Sequence, residues 1–393
     1  MGFSGYNLNM YKRELAAYLV KIAPKYPVVT IVGPRQSGKS TLCRYLFADH
    51  QYVSLEEADV RELAVRDPRG FFKKNSGDLI LDEIQRAPEL LSYIQTIVDE
   101  PGMKRHFVLT GSHQLLLMEK ITQSLAGRTV IAKLLPFSRS ELWPHHSKMT
   151  IDALMFTGGY PRIYDKKLEP GQWLQQYYQT YVERDVRALI NLAHLDQFER
   201  FLRLCAGRAG QLLNLSSLAA DCGITHPTAG AWLSALQASF ICFTLQPHFR
   251  NFNKRVIKTP KLFFYDTGLL CYLLKIHNAE TLSAHPLRGN IFENWVVGEH
   301  LKKIYNQGRE SNLYFWRDAK GHEIDLVRDE GDFLYPIEIK SSYTASPDFM
   351  KNIDFFNKLQ KTTGKKKHWG ECVYCGDSEI YYKEYLIKPW FEV

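Results

Sequence analysis

No run of apolar residues in the chain approaches the roughly 18 that a membrane-spanning helix needs. The first thirty residues, MGFSGYNLNMYKRELAAYLVKIAPKYPVVT, show neither the apolar core nor the small-residue cleavage pattern of an export signal. These absences predict an intracellular, cytoplasmic protein with no membrane partner. No segment repeats at a period of roughly 20 to 50 residues, which excludes a solenoid, and low complexity is confined to KKK at 365–367. Cysteine is sparse: seven residues scattered through otherwise helical or strand-like sequence do not make a disulfide framework. Cys372 and Cys375 in GECVYCGD have the spacing of half a zinc site, but no second Cys/His pair accompanies them, and a core strand is expected there. Neither sign of charge dominates. The net charge of +8, from 50 basic and 42 acidic residues, leans toward phosphate-bearing partners without deciding for them.

What is present is apolar and aromatic sequence, 45% and 13%, in a chain of 393 residues that can supply two or three hydrophobic cores. The pattern changes twice along it. Five short apolar runs, PVVTIV (27–32), QYVSL (51–55), DLILD (78–82), HFVLTG (106–111) and TVIAKLL (129–135), alternate with helical stretches, which predicts a parallel sheet covered on both faces. Helix-rich sequence follows to about residue 245, and then a mixed strand and helix segment runs to the end. The expected organisation is a nucleotide-binding α/β domain over 1–165, a helical linker with a second module over 166–260, and a C-terminal α/β domain over 261–393.

Directly after the first apolar run, GPRQSGKST satisfies G-x-x-x-x-G-K-[ST] through Gly33, Gly38, Lys39 and Ser40. In such a loop Gly33, Pro34, Arg35, Gln36, Ser37, Gly38, Lys39, Ser40 and Thr41 wrap a triphosphate with backbone N–H groups at a helix N-terminus. Lys39 would reach the β and γ phosphates of ATP, and the Ser40 hydroxyl would ligate Mg2+. The third run ends in LDEIQ, which sets Asp82 and Glu83 at the carboxyl end of a strand, where open α/β sheets bind ligands. Asp82 would hold the magnesium, and Glu83 would orient or deprotonate the attacking water. Asp82 as a plain helix cap is the competing reading.

The stretches GPRQSGKSTL, LDEIQ, LTGSHQ, SLAGR and GGYPR, with YVERDV following, resemble a prokaryotic family that joins an AAA+ ATPase domain to a C-terminal nuclease-like domain of unknown function. That resemblance implies ATP hydrolysis, with Ser112 as the polar sensor. It also implies an arginine that completes the site, often from a neighbouring subunit of a homo-oligomer. Arg128 and Arg162 are the candidates for that role, and either could instead be an ordinary ion-pair residue.

In the middle segment, LLNLSSLAADCGITHPTAGAWLSALQASFICF reads as helix, turn, helix and strand, similar to a winged helix, with Ser217 or a neighbour capping the first helix. The stretch beyond, PHFRNFNKRVIKTPKLFFY, offers Arg250, Lys254, Arg255, Lys258 and Lys261 with Phe249 and Phe252 interleaved, a composition suited to the phosphates and bases of DNA or RNA. A wing docked on another domain would account for the same pattern.

The end of the chain carries Glu293 on an amphipathic stretch, Asp325 in GHEIDLV, and Glu338 and Lys340 in YPIEIK. This order resembles the PD-(D/E)xK core of a restriction-endonuclease-like fold. Residues 338 and 340 share one strand face, so Asp325 and Glu338 could ligate Mg2+ or Mn2+ while Lys340 positions water or stabilises the transition state. A structural Lys340–Asp325 ion pair is the competing reading. Tyr314, Trp316 and Arg317 could line a substrate groove or pack in the core.

Overall fold

A computed structural model describes residues 11–102, 104–112, 121, 123–186, 195–248, 258–360, 370–382 and 385–393, with side chains 183–186 excepted. They divide into two compact units, one of the described residues up to 147 with 238–240 and 302–309, the other of the remaining described residues from 148 onward.

In the first unit each of the five apolar runs forms a strand: β1 (Val28–Val32), β2 (Gln51–Ser54), β3 (Leu79–Asp82), β4 (Phe107–Gly111) and β5 (Thr129–Lys133). All pairings are parallel and the order is β2-β3-β4-β1-β5. The central strands read as unbroken apolar sequence because both faces are covered. Leu15 and Leu19 of helix Leu15–Ile22, with Leu42 and Cys43 of helix Lys39–Leu46, pack on one face against Val29, Ile31, Ile80 and Val108. Val29 and Ile31 share that face because strand side chains alternate. All five carboxyl ends lie on one side of the sheet, and the loop at 33–38 leaves from the end of β1 and opens helix Lys39–Leu46.

One buried residue fastens this loop from below. Arg13 donates through Nε to Glu141 at 3.0 Å, and through its two terminal nitrogens to the carbonyls of Ser37 and Leu135, both at 2.6 Å. Glu141 also closes the capping box of helix Arg139–His146 with Ser138, so one carboxylate serves both the helix start and the guanidinium.

The second unit begins with helices Ile151–Thr157, Pro161–Asp165 and Pro170–Tyr177, the last continuing as wider turns over Tyr178–Val186. Helix Leu195–Gly207 is followed by helices Leu215–Cys222 and His226–Ala238, with Trp232 set edge-on against Phe198 and Phe201. Asn214, not Ser217, caps helix Leu215–Cys222: it stands at the N-cap position, where its Oδ1 accepts the Ser217 N–H at 3.0 Å. Strands β6 (Cys242–Leu245) and β7 (Lys261–Phe264) then pair antiparallel, and Leu212 bridges to Lys261.

Helix Arg288–Asn306 precedes a second sheet. Its strands are β8 (Leu313–Arg317), β9 (Glu323–Asp329), β10 (Leu334–Lys340), β11 (Glu371–Tyr374), β12 (Ile380–Tyr382) and β13 (Tyr385–Pro389), in the order β12-β13-β11-β10-β9-β8. Strands β8, β9 and β10 form an antiparallel meander, and helix Lys351–Leu359 then carries the chain across to β11, which pairs parallel with β10. Ile353 and Phe356 of that helix pack on Trp316, Ile324, Val327 and Cys372. Trp316 is therefore core and lines no groove; its 0% exposure leaves nothing for a substrate to touch. Cys372 lies buried in β11 and Cys375 just beyond it. No described helix is long and apolar enough to cross a membrane.

Replacing Arg13 by Met leaves the Glu141 carboxylate, whose side chain has 0% exposure, without its counter-charge. Breaking one side of a buried pair costs about 3–5 kcal/mol. The variant should lose about that much in urea denaturation; an unchanged midpoint would show that the pair is not supporting the loop.

Candidate functional site

In the first unit the loop closes on its own lysine. The Lys39 ammonium, 4% exposed, donates to the carbonyls of Gly33 at 3.0 Å and Pro34 at 2.9 Å. Burial pushes its pKa down, against the pull of Glu83 and Asp82. Ser37 Oγ is buried in the same loop without a hydrogen-bond partner. Gly38 at φ 93° makes the turn into the helix, and a Cβ at Gly33 would meet the Leu134 carbonyl oxygen at 2.1 Å, so both glycines are sterically required. A buried cation and an orphaned hydroxyl inside a ring of main-chain groups are the features of an anion cradle.

Asp82 ends β3 beside this loop and collects hydroxyl donors. Ser40 Oγ reaches both of its oxygens at 2.9 Å, Tyr52 OH donates at 2.7 Å, and Thr110 Oγ1 makes a short contact. Thr110 in turn accepts the Glu83 N–H at 3.1 Å, which fixes the chain at the strand end. Glu83 sits at φ 56° and ψ 49°, a left-handed conformation unusual for a residue with a Cβ. Its carboxylate accepts from Ser112 Oγ at 2.9 Å and from Gln85. Burial would raise its pKa, but Lys39, those two hydrogen bonds and Arg35 together draw it below its ordinary range. Ser40 and Asp82 thus converge as a hydroxyl and carboxylate pair suited to a magnesium ion that takes its other ligands from phosphate and water. Tyr52, Thr110 and Gln85 are members of the site that the motif search did not single out. Thr110 immediately precedes GS in LTGS, and that is the one local signal that could have found it.

Arg128 precedes β5 at the amino end of the sheet, its carbonyl bound to Val28 N–H, and its guanidinium forks onto Asp99 at 2.6 and 2.7 Å. The sheet does not bring it to the loop of its own unit, because that loop leaves the opposite strand ends. Arg162 is exposed on helix Pro161–Asp165 of the second unit. Arg35 instead pairs with Glu56 at 3.1 Å.

In the second unit, Asp325 on β9 and Glu338 and Lys340 on β10 come together. Asp325 accepts the Ile339 N–H at 2.9 Å, and the Lys340 ammonium lies 3.6 Å from Asp325 while making a short contact with Glu338. Glu338 is 1% exposed, and its other oxygen has no well-formed hydrogen bond although the Asn352 amide stands beside it. Burial first, then the Asp325 charge, pushes its pKa up to about 8. Glu293, from helix Arg288–Asn306, is bound by Lys261 at 2.8 Å and is pushed up to about 7, again chiefly by burial. Lys261 also reaches Glu323 at 2.5 Å. It is therefore an interior counter-ion, 3% exposed, and not a free phosphate contact, since β7 turns it into the acidic cluster. Sequence alone does not single out Glu323 and reads Lys261 as a nucleic-acid contact, because only tertiary packing brings β7 and β9 to the helix that carries Glu293. Arg317 is held by Glu323 at 3.0 Å. Of the basic residues near β7, Lys258 is exposed, and Arg250, Lys254 and Arg255 lie outside the described residues. Two carboxyl groups facing one ammonium fit a divalent cation only if Lys340 swings aside. No group of three or more His, Cys, Asp or Glu side chains suited to a metal ion occurs among the described residues.

The parallel five-stranded sheet with a phosphate loop after β1 and an acidic pair after β3 defines a P-loop AAA-type ATPase domain, and an AAA domain family matches residues 25–143. Two domains of unknown function match the remainder, DUF8612 at 149–280 and DUF4143 at 288–390. An uncharacterised protein of Mycobacterium tuberculosis and another of Mycobacterium bovis are each 30% identical over 338 residues, covering 85% of this chain and 75% of theirs, and the chain belongs to the family they represent. Among solved structures it is similar to a Walker-type ATPase of Pyrococcus abyssi, with 16% identity, 67% of this chain and 96% of that one covered, and a TM-score of 0.45. NtrX of Brucella abortus in complex with ATP is more distant, at 12% identity over 60% of this chain and 69% of that one, with a TM-score of 0.25.

The raised carboxyl pKa of Glu338 fixes the sign of a pH effect. A group that holds its proton more tightly folded than unfolded contributes stability in full below its ordinary value near 4.5, and that contribution is lost as pH rises through about 8. Glu338→Gln removes the liability. Its stability relative to wild type should therefore climb by on the order of 2–4 kcal/mol between pH 5 and 8.5. Urea unfolding at both pH values reads this, and a difference that does not change with pH would show that the carboxyl is not held protonated.

Proposed function

We propose that the protein binds and hydrolyses ATP at loop 33–41 and uses that turnover to control a nucleic-acid-directed C-terminal unit. The observation that carries the reading is the convergence of the buried Lys39 ammonium, the Ser40–Asp82 pair and the Glu83 carboxylate at one end of one sheet. Lys39 would turn from the loop carbonyls to the β and γ phosphates. Magnesium, when bound, would supply charge neutralisation, and Ser40 and Asp82 are the residues that would hold it. Glu83 orients the attacking water once Ser112 and Gln85 release it. Its depressed pKa in this state suits an acceptor that positions water better than one that strips its proton.

For the second unit the helix, three-strand meander, helix and parallel strand from Arg288 to Tyr374, with Asp325, Glu338 and Lys340 meeting on β9 and β10, support a PD-(D/E)xK nuclease-like fold. Asp325 and Glu338 would hold Mg2+ or Mn2+, Glu293 would join from the helix, and Lys340 would face the scissile phosphate. The order helix, short bridge, two helices and a β6/β7 hairpin over residues 195–264 supports a winged helix that contacts DNA, with RNA as the other polymer of the same chemistry. Lys258 would meet its phosphates, joined by Arg250, Lys254 and Arg255. A domain division at 165 and 260 follows from this reading, as does a homo-oligomer in which Arg128 or Arg162 serves a neighbour's site. One observation favours a second reading: Lys340 already sits between the two carboxyl groups, as in a closed ion pair. A unit that grips nucleic acid or a protein under ATP control, without cutting it, would look the same.

Steady-state assays separate these. Lys39→Ala should abolish ATP turnover, and Glu83→Gln should lower kcat by about 100- to 1,000-fold while leaving ATP binding intact. Mn2+-dependent cleavage of labelled DNA that disappears in Lys340→Ala would establish the nuclease. Absence of cleavage with either metal and with ATP would leave the gripping module.

A further inference from the structure

Positive charge beyond Lys39 facing the outer phosphates would favour their transfer, and in the first unit Arg128 stands at the far end of the sheet. Two other arginines stand at the near end. Arg35, inside the loop, donates to Glu56 Oε1 at 3.1 Å, and Arg86, three residues after Glu83, reaches the same oxygen at 3.6 Å. Glu56 stands two residues beyond β2, and Arg61 donates to the carbonyls of Leu55 at 3.0 Å and Glu56 at 3.2 Å. Three segments that all leave the carboxyl ends of strands thus place two guanidinium groups on one carboxylate. Arg35 is close enough to Glu83 to help keep that carboxylate ionised.

Two guanidinium groups share one carboxylate oxygen. The Glu56 side chain is also 50% exposed, so each pairing is a weak, solvent-screened one. A polyphosphate offers both arginines several charged oxygens in the fork geometry that guanidinium prefers, at a site much drier than Glu56. We propose that Glu56 is an anionic placeholder that holds Arg35 and Arg86 over loop 33–41 and yields them to the outer phosphates of a nucleoside triphosphate. The two arginines are then phosphate-contacting residues supplied by the same chain. This assignment rests on the ATP-binding reading above.

The test is equilibrium titration of the full chain with a fluorescent, slowly hydrolysed Mg·ATP analogue at fixed 0.1 M salt, comparing wild type with Lys39→Ala, Glu56→Gln, Arg35→Ala, Arg86→Ala and the Arg35→Ala/Arg86→Ala pair with and without Glu56→Gln. Removing a competitor should tighten binding, so Glu56→Gln should lower Kd by about 3- to 10-fold. Each arginine variant should raise Kd by a similar factor, and Glu56→Gln should bring no tightening once both arginines are gone. A folded Glu56→Gln protein that binds no more tightly than wild type overturns the placeholder, as do arginine variants with wild-type Kd. If wild type binds and Lys39→Ala does not, such a result removes this inference alone. If wild type itself binds no nucleotide, the ATP-binding reading and this inference fall together.

Discussion

A buried ammonium with no carboxylate in direct contact is the constraint around which the first unit is arranged. Lys39 is held by two carbonyls of its own loop, which accept two of its three hydrogens and do not neutralise its charge. Leaving a cation in that state is costly, and the surrounding sequence answers the cost at several levels. Gly33 and Gly38 let the main chain close without clashing, Arg13 ties the Ser37 carbonyl to Glu141, and Asp82 and Glu83 supply negative charge at a distance. The arrangement is stable enough to persist and incomplete enough to favour a polyanion. The left-handed Glu83 lies at the same strand end, where its N–H is held by Thr110 and its carboxylate by Ser112.

The second unit solves a related problem with the signs reversed. Several carboxyl groups are drawn into the interior near the end of a sheet, and two lysines from different strands answer them. Lys340 faces Asp325 and Glu338, while Lys261 faces Glu293 and Glu323. Burial still dominates, which is why Glu338 and Glu293 hold their protons well above the ordinary carboxyl range. Groups so perturbed gather at functional sites more often than in scaffolding, although a purely structural ion-pair network produces the same shifts. In the first unit Asp82 closes β3 and Glu83 follows it, while in the second Glu338 and Lys340 close β10 beside Asp325 of β9, each group backed by a hydrophobic layer.

Much of this architecture was legible in sequence because its determinants are local. The five runs that form β1 to β5 announce themselves by apolar continuity, and the phosphate loop by glycines and a lysine at fixed spacing. Glu338 and Lys340 share a face by the two-residue period of a strand. What could not be read depends on separation along the chain. Arg13 meets Glu141 across 128 residues, Tyr52 meets Asp82 across 30, and Lys261 meets Glu293 across 32. A basic stretch such as FNKRVIKTPK carries no mark telling which lysine turns inward, and only the pairing of β6 with β7 decides it for Lys261. Trp316 was ambiguous for the same reason: whether an aromatic in a strand faces a groove or a core depends on the helix laid over it.

The most direct measurement of the central claim is amide hydrogen exchange over residues 33–41 in the full chain, with and without saturating Mg·ATP. If the loop is an anion cradle with Lys39 at its centre, its amides gain protection with nucleotide in wild type, and that gain vanishes in Lys39→Met. Exchange that is indifferent to nucleotide in wild type would contradict the account.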